Sequence, residues 1–196
     1  DGTNGIVIVN PDETTRKIYQ GRLETSKKIH SEALKFAQAK AHTIDGIGFE
    51  VVANIGNVKD AKFAVENGAE GVGLLRTEFL YLERNALPTE EEQFQAYKAI
   101  MDVFGKQPVV LRTLDVGGDK EIPYLNLEKE MNPFLGERAL RLCLNRPDIF
   151  KPQLRAALRA GVGHNLKIMF PMVATGSCVR KAMKVVNECK EEMKQA

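Results

Sequence analysis

Hydrophobic residues along this chain fall into short blocks that alternate with stretches in which apolar positions recur at helical spacing. The apolar blocks after residue 48 predict strands at residues 49–55, 71–76, 108–114 and 166–172. Helical periodicity predicts helices at about residues 58–67, 90–104, 136–144, 152–160 and 178–194. Apolar strands that alternate with helices are typical of a parallel sheet covered by helices.

Two of these helices carry start signals in the sequence. Asn57 precedes the first helix and is placed to cap it. Thr89 and Glu92 have the spacing of a capping box, in which the two side chains satisfy free amide groups of the first helical turn. We therefore expect firm helix starts near residues 58 and 90.

The first part of the chain follows a different pattern. Residues 5–9 (GIVIV) predict a short strand that Asn10-Pro11 ends. Residues 12–42 are highly charged, and their apolar positions form one narrow stripe at Ile29, Ala33, Phe36, Ala37 and Ala41. This pattern predicts a long, mostly solvent-exposed helix that joins two bodies and is closed by Gly46 and Gly48.

The predicted fold class is α/β, either an open doubly wound sheet or a (β/α)8 TIM-type barrel. A complete barrel needs eight βα units in roughly 250 residues. Only about four strands fit after residue 48, so a barrel would be partial, with about four βα units preceded by a linker helix. Because Asp1 is not an initiating methionine, we expect this sequence to be part of a longer protein.

Composition excludes several classes of protein. A hydrophobic content of 43% and a charged content of 28% are typical of soluble globular domains. The net charge of +2 does not indicate nucleic-acid or membrane-surface binding, and no apolar run approaches the roughly 18 residues that span a bilayer. Cys143, Cys178 and Cys189 form no close pair, which argues against a disulfide framework or zinc site and favours a reducing cytoplasm.

Charged residues stand where two neighbouring strands are predicted to end. The second strand ends in LLRTE and the third in LRTLD, which places Arg76 and Arg112 at these ends. In parallel α/β folds, ligands bind at the carboxyl ends of strands, and an inward arginine is costly to desolvate unless it meets an anion. The two arginines predict a clamp for phosphate or carboxylate. The alternative is that each pairs with Glu78 or Asp115 and only ties loops together.

The segment after the third strand raises further expectations. Strict strand alternation predicts that Arg112 and Asp115 face opposite sides. Gly117-Gly118 predicts a sharp turn out of the strand, and the spacing of a P-loop is absent. Lys120 either reaches an anion or is solvated, and the sequence favours neither interpretation.

The stretch NPFLGERALR adds a third arginine. Asn132-Pro133 predicts a turn, with a helix from Leu135 that would carry Arg138 and Arg141 on one face. Arg138 either points into the clamp or holds a loop or a partner helix, and both interpretations stay open.

The histidines, His30, His42 and His164, have no serine, cysteine or aspartate partner at a recognisable spacing. A hydrolase triad is therefore unsupported.

Several long motifs occur together in a fixed order: VVANIGN, GAEGVGLLRTEFLYLERNALPTEEEQFQAYK, RTLDVGGDKEIPYLN, NPFLGERALR and IMFPM. They resemble the enzyme I family of the bacterial sugar phosphotransferase system (phosphoenolpyruvate–protein phosphotransferase) over essentially the whole chain. Pyruvate phosphate dikinase and phosphoenolpyruvate synthase share a similar GLxRTE strand but usually lack the RTxDxGGDK form. A half domain of that kind, or a non-catalytic anion-binding or association fragment, is the alternative.

The resemblance implies a division of the chain and a site. Residues 1–11 would end a phosphohistidine domain, residues 12–47 would form a helical linker, and residues 48–196 would form the first half of a phosphoenolpyruvate-binding barrel. Arg76 and Arg112 match family ligands of phosphoenolpyruvate, and Arg138 matches a further arginine that lines that site. The implied cofactor is Mg²⁺, and the implied partner is a phosphocarrier protein that serves sugar uptake. The full-length protein would be a cytoplasmic homodimer.

The resemblance also implies what these residues lack. The family's magnesium ligands lie in a VETP-like strand and a TND-like loop, which we expect after residue 196. The phosphorylated histidine is expected before residue 1, and no cysteine here stands in the family's CGE-like motif. No catalytic residue, no metal ligand and no turnover are therefore expected of this segment alone. Glu137 stands where the family tends to have an aromatic residue.

Overall fold

The computed structural model describes residues 1–82, 84–117, 122–128 and 130–195. The chain divides into two compact units, Asp1–Ala39 and Lys40–Ala196. Within the described ranges, no helix has both the length and the apolar character needed to cross a membrane.

The first unit consists of an irregular segment and one long helix, α1 (Glu13–Phe36). The Asp12 carboxylate caps the helix by accepting a hydrogen bond from the Thr15 amide at 2.7 Å. No residue of α1 is buried, which agrees with the predicted exposed helix, but the helix ends at Phe36 and not near residue 42. The predicted strand at residues 5–9 is wrong, because Gly5 belongs to a turn, Val9 to a bend, and residues 6–8 between them have no regular secondary structure.

The second unit alternates strands with helices. Its strands are β1 (Ala53–Ile55), β2 (Val72–Arg76), β3 (Pro108–Arg112) and β4 (Asn165–Met169). Its helices are α2 (Val58–Glu66), α3 (Phe79–Leu82), α4 (Glu90–Phe104), α5 (Leu140–Asn145), α6 (Pro147–Ala160) and α7 (Gly176–Gln195), with a 3-10 turn at Pro123–Leu125. Every strand and helix predicted after residue 48 is present, although several bounds shift, and the short helix α3 was not predicted.

The four strands form one parallel sheet in the order β1-β2-β3-β4. Among the described residues, β1 and β4 are therefore the edges of the sheet. This confirms the α/β class and the four βα units preceded by a helix. Strand β1 is shorter than predicted, because Glu70 engages Val51 before the ladder begins: the Glu70 carboxylate accepts from the Val51 amide, and the Glu70 amide donates to the Val51 carbonyl.

Helices cover one face of this sheet. Apolar strand residues such as Val72, Leu75 and Leu111 are buried against α2, α4 and α6. The start of α2 is capped by Asn57, which accepts from the Asp60 amide at 2.9 Å. The capping box of α4 is formed as predicted. These well-anchored helices hold the strands so that their carboxyl ends lie along one edge.

A second hydrophobic cluster lies beyond the end of β3. Leu114 and Val116 are fully buried there, packed with residues of α5, α6 and α7 such as Cys143 and Phe150. The segment that leaves β3 is thus part of the core from its first residues. The position of any polar side chain on this segment is consequently fixed by packing on both sides of it.

Candidate functional site at the carboxyl ends of the strands

Arg76 and Arg112 are the last residues of adjacent parallel strands. The β2–β3 ladder pairs their Cα atoms in register, so both side chains project from the same face at the same edge. Arg76 is exposed, and the side chain of Arg112 is 18% exposed. The structure thus brings together the two arginines that the sequence predicted to be neighbours.

Arg112 is paired with both carboxylates that the sequence offered as partners. Its Nη2 lies 2.5 Å from Glu78 Oε1, and its Nη1 lies 3.1 Å from Asp115 Oδ2. The expectation that Arg112 and Asp115 face opposite sides is wrong, because β3 ends at Arg112 and strand alternation ends with it. Within the described part of the chain, Arg112 Nε has no hydrogen-bond partner.

Arg138 joins the same group of charges. Its Nη2 and Nε lie 3.0 and 3.3 Å from Asp115 Oδ1, and its guanidinium stacks over the Phe134 ring at 4.8 Å from the ring centre. The next residue, Ala139, has a φ of 52° and is tied to the Val116 carbonyl by its amide at 3.0 Å. This unusual backbone conformation turns the chain at the point where Arg138 reaches Asp115.

The predicted helix from Leu135 is wrong in its start. Helix α5 begins at Leu140, so Arg138 precedes it and does not share a helix face with Arg141. Arg141 donates instead to the carbonyl oxygens of Leu135 and Gly136 at 2.7 and 2.8 Å. The structure places Arg138 at the strand ends, where it pairs with Asp115 of the segment that follows β3, and this contact is compatible with both interpretations of Arg138.

We name Glu78, Arg112, Asp115 and Arg138 the strand-end cluster. Its side chains are between 5% and 18% exposed, so two cations and two anions are largely removed from water. Burial of this kind is expensive unless the charges compensate one another. Counting only residues that the structure describes, Arg76 at the same end of the sheet brings the charges to three positive and two negative, which is an arrangement suited to an anionic ligand.

A buried polar network supports the cluster from behind. Thr77 Oγ1 donates to the Arg112 carbonyl at 2.8 Å, and Gln153 of α6 contacts both Thr77 and the Leu114 amide. No sequence pattern predicts a role for Gln153 behind the strand ends. The sequence feature that could have indicated a buried polar role is the place of Gln153 in α6, among the apolar residues Phe150, Leu154 and Ala157.

The residues present do not fit a magnesium cage. Across the described ranges, no three His, Cys, Asp or Glu side chains lie close enough together to hold a metal ion. The two carboxylates nearest the arginines, Glu78 and Asp115, already accept charged hydrogen bonds. Magnesium is usually bound by one or two carboxylates together with waters and substrate phosphates, and both of these carboxylates are engaged by guanidinium groups instead.

The other candidate residues lie apart from the cluster or outside the described ranges. His164 faces Asp102 with Nε2 3.3 Å from Oδ1, near the start of β4. The Glu137 carboxylate accepts from Asn145 Nδ2 at 2.6 Å, whereas its neighbour Arg138 pairs with Asp115. Gly118 of the predicted exit turn, and Lys120, lie outside the residues that the structure describes.

The cysteines differ in their surroundings. Cys143 is fully buried, as predicted, and burial raises the pKa of its thiol to about 12. Cys178 lies in the first turn of α7, where hydrogen bonds from Thr175 and local backbone groups lower its pKa to about 7. Neither thiol lies in the strand-end cluster.

Comparisons with known proteins show the family to which this chain belongs. Residues 30–196 match the family described as "PEP-utilising enzyme, PEP-binding domain". The chain is 54% identical over 194 residues to the phosphoenolpyruvate-protein phosphotransferase of Staphylococcus aureus, covering 99% of this chain and 34% of that protein. It is 53% identical over 195 residues to the protein of the same name from Priestia megaterium, covering 100% of this chain and 34% of that protein. The chain spans about a third of the length of these relatives. It belongs to the family of PEP-utilising enzymes and matches their PEP-binding domain.

Proposed function

We propose that this chain is part of a phosphotransferase that moves the phosphoryl group of phosphoenolpyruvate to an enzyme histidine and then to a phosphocarrier protein for sugar uptake. Arg76, Arg112 and Arg138 are the proposed phosphoenolpyruvate ligands. The observation that carries the proposal is the in-register pairing of Arg76 with Arg112, with Arg138 held beside them through Asp115. The names of the relatives support the same reaction.

The proposed chemistry needs positive charge around the moving group. The bond between phosphorus and the enol oxygen breaks, a phosphorus–nitrogen bond to the histidine forms, and the released enolate takes up a proton to give pyruvate. Negative charge on the phosphoryl and enolate oxygens is offset by guanidinium groups fixed in place beforehand. Magnesium would add further charge neutralisation through ligands that the described residues do not supply.

The arginines would bind phosphoenolpyruvate by exchanging partners. In the structure, Glu78 and Asp115 occupy the donors of Arg112, and Asp115 also occupies donors of Arg138. A phosphate or carboxylate group presents the same paired oxygen acceptors. The carboxylates therefore keep the guanidinium groups oriented until the ligand arrives.

The resemblance supplies the rest of the proposal. Residues 1–11 would end the phosphohistidine domain, residues 12–47 would link it, and residues 48–196 would form half of the phosphoenolpyruvate-binding barrel. The whole protein would act in the cytoplasm as a homodimer and use Mg²⁺. Because the proposed histidine and metal ligands lie in other segments, residues 1–196 alone should show no turnover in a coupled transfer assay.

The test uses the full-length protein. Arg112→Gln should weaken phosphoenolpyruvate binding by about 100-fold or more, since a buried charged partner is removed. Arg155→Gln on the outer surface of α6 is the matched control and should leave binding unchanged. Equal affinity of the two variants would refute the proposed site. Binding of ATP in place of phosphoenolpyruvate would favour a dikinase-like reaction instead.

A further inference from the structure

One glutamine in the core of the second unit connects to both strand ends that carry the arginines. Gln153 lies in the middle of α6 and is completely buried. Its Oε1 accepts from the Leu114 amide at 2.9 Å, and its Nε2 donates to Thr77 Oγ1 at 3.1 Å and to the Tyr97 hydroxyl at 3.2 Å. Both the oxygen and the nitrogen of the Gln153 amide are therefore hydrogen-bonded, which fixes the orientation of this side chain.

The network around Gln153 has one consistent set of donors and acceptors. Thr77 accepts from Gln153 and donates its own hydrogen to the Arg112 carbonyl. Tyr97 accepts from Gln153 and donates to Gln93 Oε1 at 3.1 Å. Burial raises the pKa of the Tyr97 hydroxyl, so it remains a neutral donor. A fully satisfied buried network of this kind holds a single arrangement of its backbone neighbours.

The backbone held in this way is the segment that delivers Arg112. The Arg112 carbonyl is bonded through Thr77, the Thr113 amide donates to the Met169 carbonyl at 3.0 Å, and the Leu114 amide is bonded to Gln153. Strand β3 ends at Arg112 and Thr113 keeps one hydrogen bond to β4, so neighbouring strands do not hold the Leu114 amide. The side chain of an α6 residue takes over that task from behind the sheet.

We propose that Gln153 is a positioning residue for the anion clamp, acting through Thr77 and the 112–114 backbone to hold Arg112 in its binding orientation. This inference rests on the proposed function, because it assigns Gln153 to the same phosphoenolpyruvate site. Gln153 itself touches no ligand. Its loss should allow the end of β3 to shift and misplace the Arg112 guanidinium relative to Arg76.

The test is a double-mutant cycle on phosphoenolpyruvate binding by the full-length protein. Gln153→Met keeps the side-chain length and removes the amide, and it should weaken binding about tenfold. In the Arg112→Gln background, the same substitution should weaken binding less than about twofold, because the residue through which it acts is already gone. An equal loss in both backgrounds overturns the proposal.

Two further variants separate positioning from general destabilisation. Phe104→Leu alters the core at the far end of α4 and is the matched control, which should lower Tm without lowering affinity. Thr77→Val removes the donor to the Arg112 carbonyl and should reproduce the Gln153→Met loss, whereas Thr77→Ser keeps the hydroxyl and should restore binding. The Thr77 pair carries the test by itself if Gln153→Met does not fold.

The outcomes for the site and for Gln153 are distinguishable. If Arg112→Gln leaves phosphoenolpyruvate affinity unchanged, the proposed site is wrong and the role of Gln153 fails with it. If Arg112→Gln weakens binding but Gln153→Met and Thr77→Val do not, the site stands and only the positioning role is overturned. A tenfold loss that disappears in the Arg112→Gln background supports both.

Discussion

Two groups of arginine–carboxylate pairs in this molecule have similar contact distances but opposite surroundings. The strand-end cluster is between 5% and 18% exposed, whereas the pairs that join α4, α6 and α7 on the helical surface are between 26% and 58% exposed. We name the second group the helix-surface network, which consists of Glu90, Glu91, Arg155, Arg159 and Glu192. Arginine–carboxylate pairing is common to both groups, so the burial of charge at the strand ends is the feature on which the proposed site rests.

The largest expected effect comes from replacing Asp115, whose carboxylate Arg112 and Arg138 share in the strand-end cluster. Asp115→Asn should lower the free energy of unfolding by about 3 kcal/mol, because Arg112 and Arg138 would keep their buried charges without this counter-charge. Differential scanning calorimetry of the full-length protein would measure it in the transition that phosphoenolpyruvate shifts to higher temperature.

The matched change on the surface is Glu192→Gln. This carboxylate contacts Lys151 at 2.7 Å and Arg155 at 3.0 Å, so it also bridges two cations. Water screens those cations after the substitution, and we expect no measurable change in Tm. If Asp115→Asn and Glu192→Gln lower the free energy of unfolding by the same amount, burial does not determine how much a charged pair contributes to stability.

The sequence predicted the strand-end arginines because each follows an apolar run and precedes a threonine. It did not predict that Asp115 turns back to Arg112, since strand alternation applies only while the ladder continues, and β3 ends at Arg112. The bend at Ala139 was not predicted either, because alanine carries no local signal for a positive φ. Packing of Leu114 and Val116 into the second cluster decides both features, and packing is not a local property of the sequence.

The apolar pattern of residues 5–9 also led to a wrong prediction. Residues 5–9 are as continuously apolar as most of β3, yet they form no strand, because a strand requires a neighbour to satisfy its backbone. The capping signals of α2 and α4 succeeded because each is satisfied within one helical turn. Local capping hydrogen bonds were thus predictable, whereas an apolar run without alternating helices around it did not show whether it has a partner strand.

A smaller effect is expected from the backbone that delivers Arg138. Ala139 has a φ of 52° and a ψ of −126°, a conformation that costs an alanine more than a glycine. Ala139→Gly should therefore raise the free energy of unfolding by about 1 kcal/mol. The helix-surface network lies on regular helices and offers no comparable gain. Thermal unfolding of Ala139→Gly and Ala139→Val should give shifts of opposite sign, and a loss of stability in both would contradict the expectation.

The effect of salt should distinguish the two groups further. Glu90 accepts from Arg155 Nε at 2.6 Å and from Arg159 Nη1 at 3.0 Å, and its side chain is 27% exposed. Glu90→Gln should cost about 0.5–1 kcal/mol at low ionic strength, and most of this cost should vanish near 1 M salt. The cost of Asp115→Asn should change little over the same range. Denaturant unfolding at two salt concentrations measures both, and equal salt dependence would contradict the contrast.

The smallest expected effect is a pH dependence at a single exposed contact. The Arg84 guanidinium and the Thr89 amide and hydroxyl hold the pKa of Glu92 at about 2, below its ordinary value of 4.5. Unfolded Glu92 therefore takes up a proton at a higher pH than folded Glu92. Its contribution to stability is complete above pH 4.5 and is lost as the pH falls towards 2.

The direction of this pH dependence can be tested by changing residues of the capping box of α4. The fall in Tm between pH 5 and pH 3 should be shallower in Glu92→Gln than in the wild type, because the variant has no carboxylate to protonate. Arg84→Gln removes the first cause of the lowered pKa and should shallow the curve in the same direction. Parallel curves for all three proteins would show that this contact contributes nothing in acid. A solvent-exposed pair with short contacts would then make no measurable contribution to stability, unlike the contribution expected of the buried pairs in the strand-end cluster.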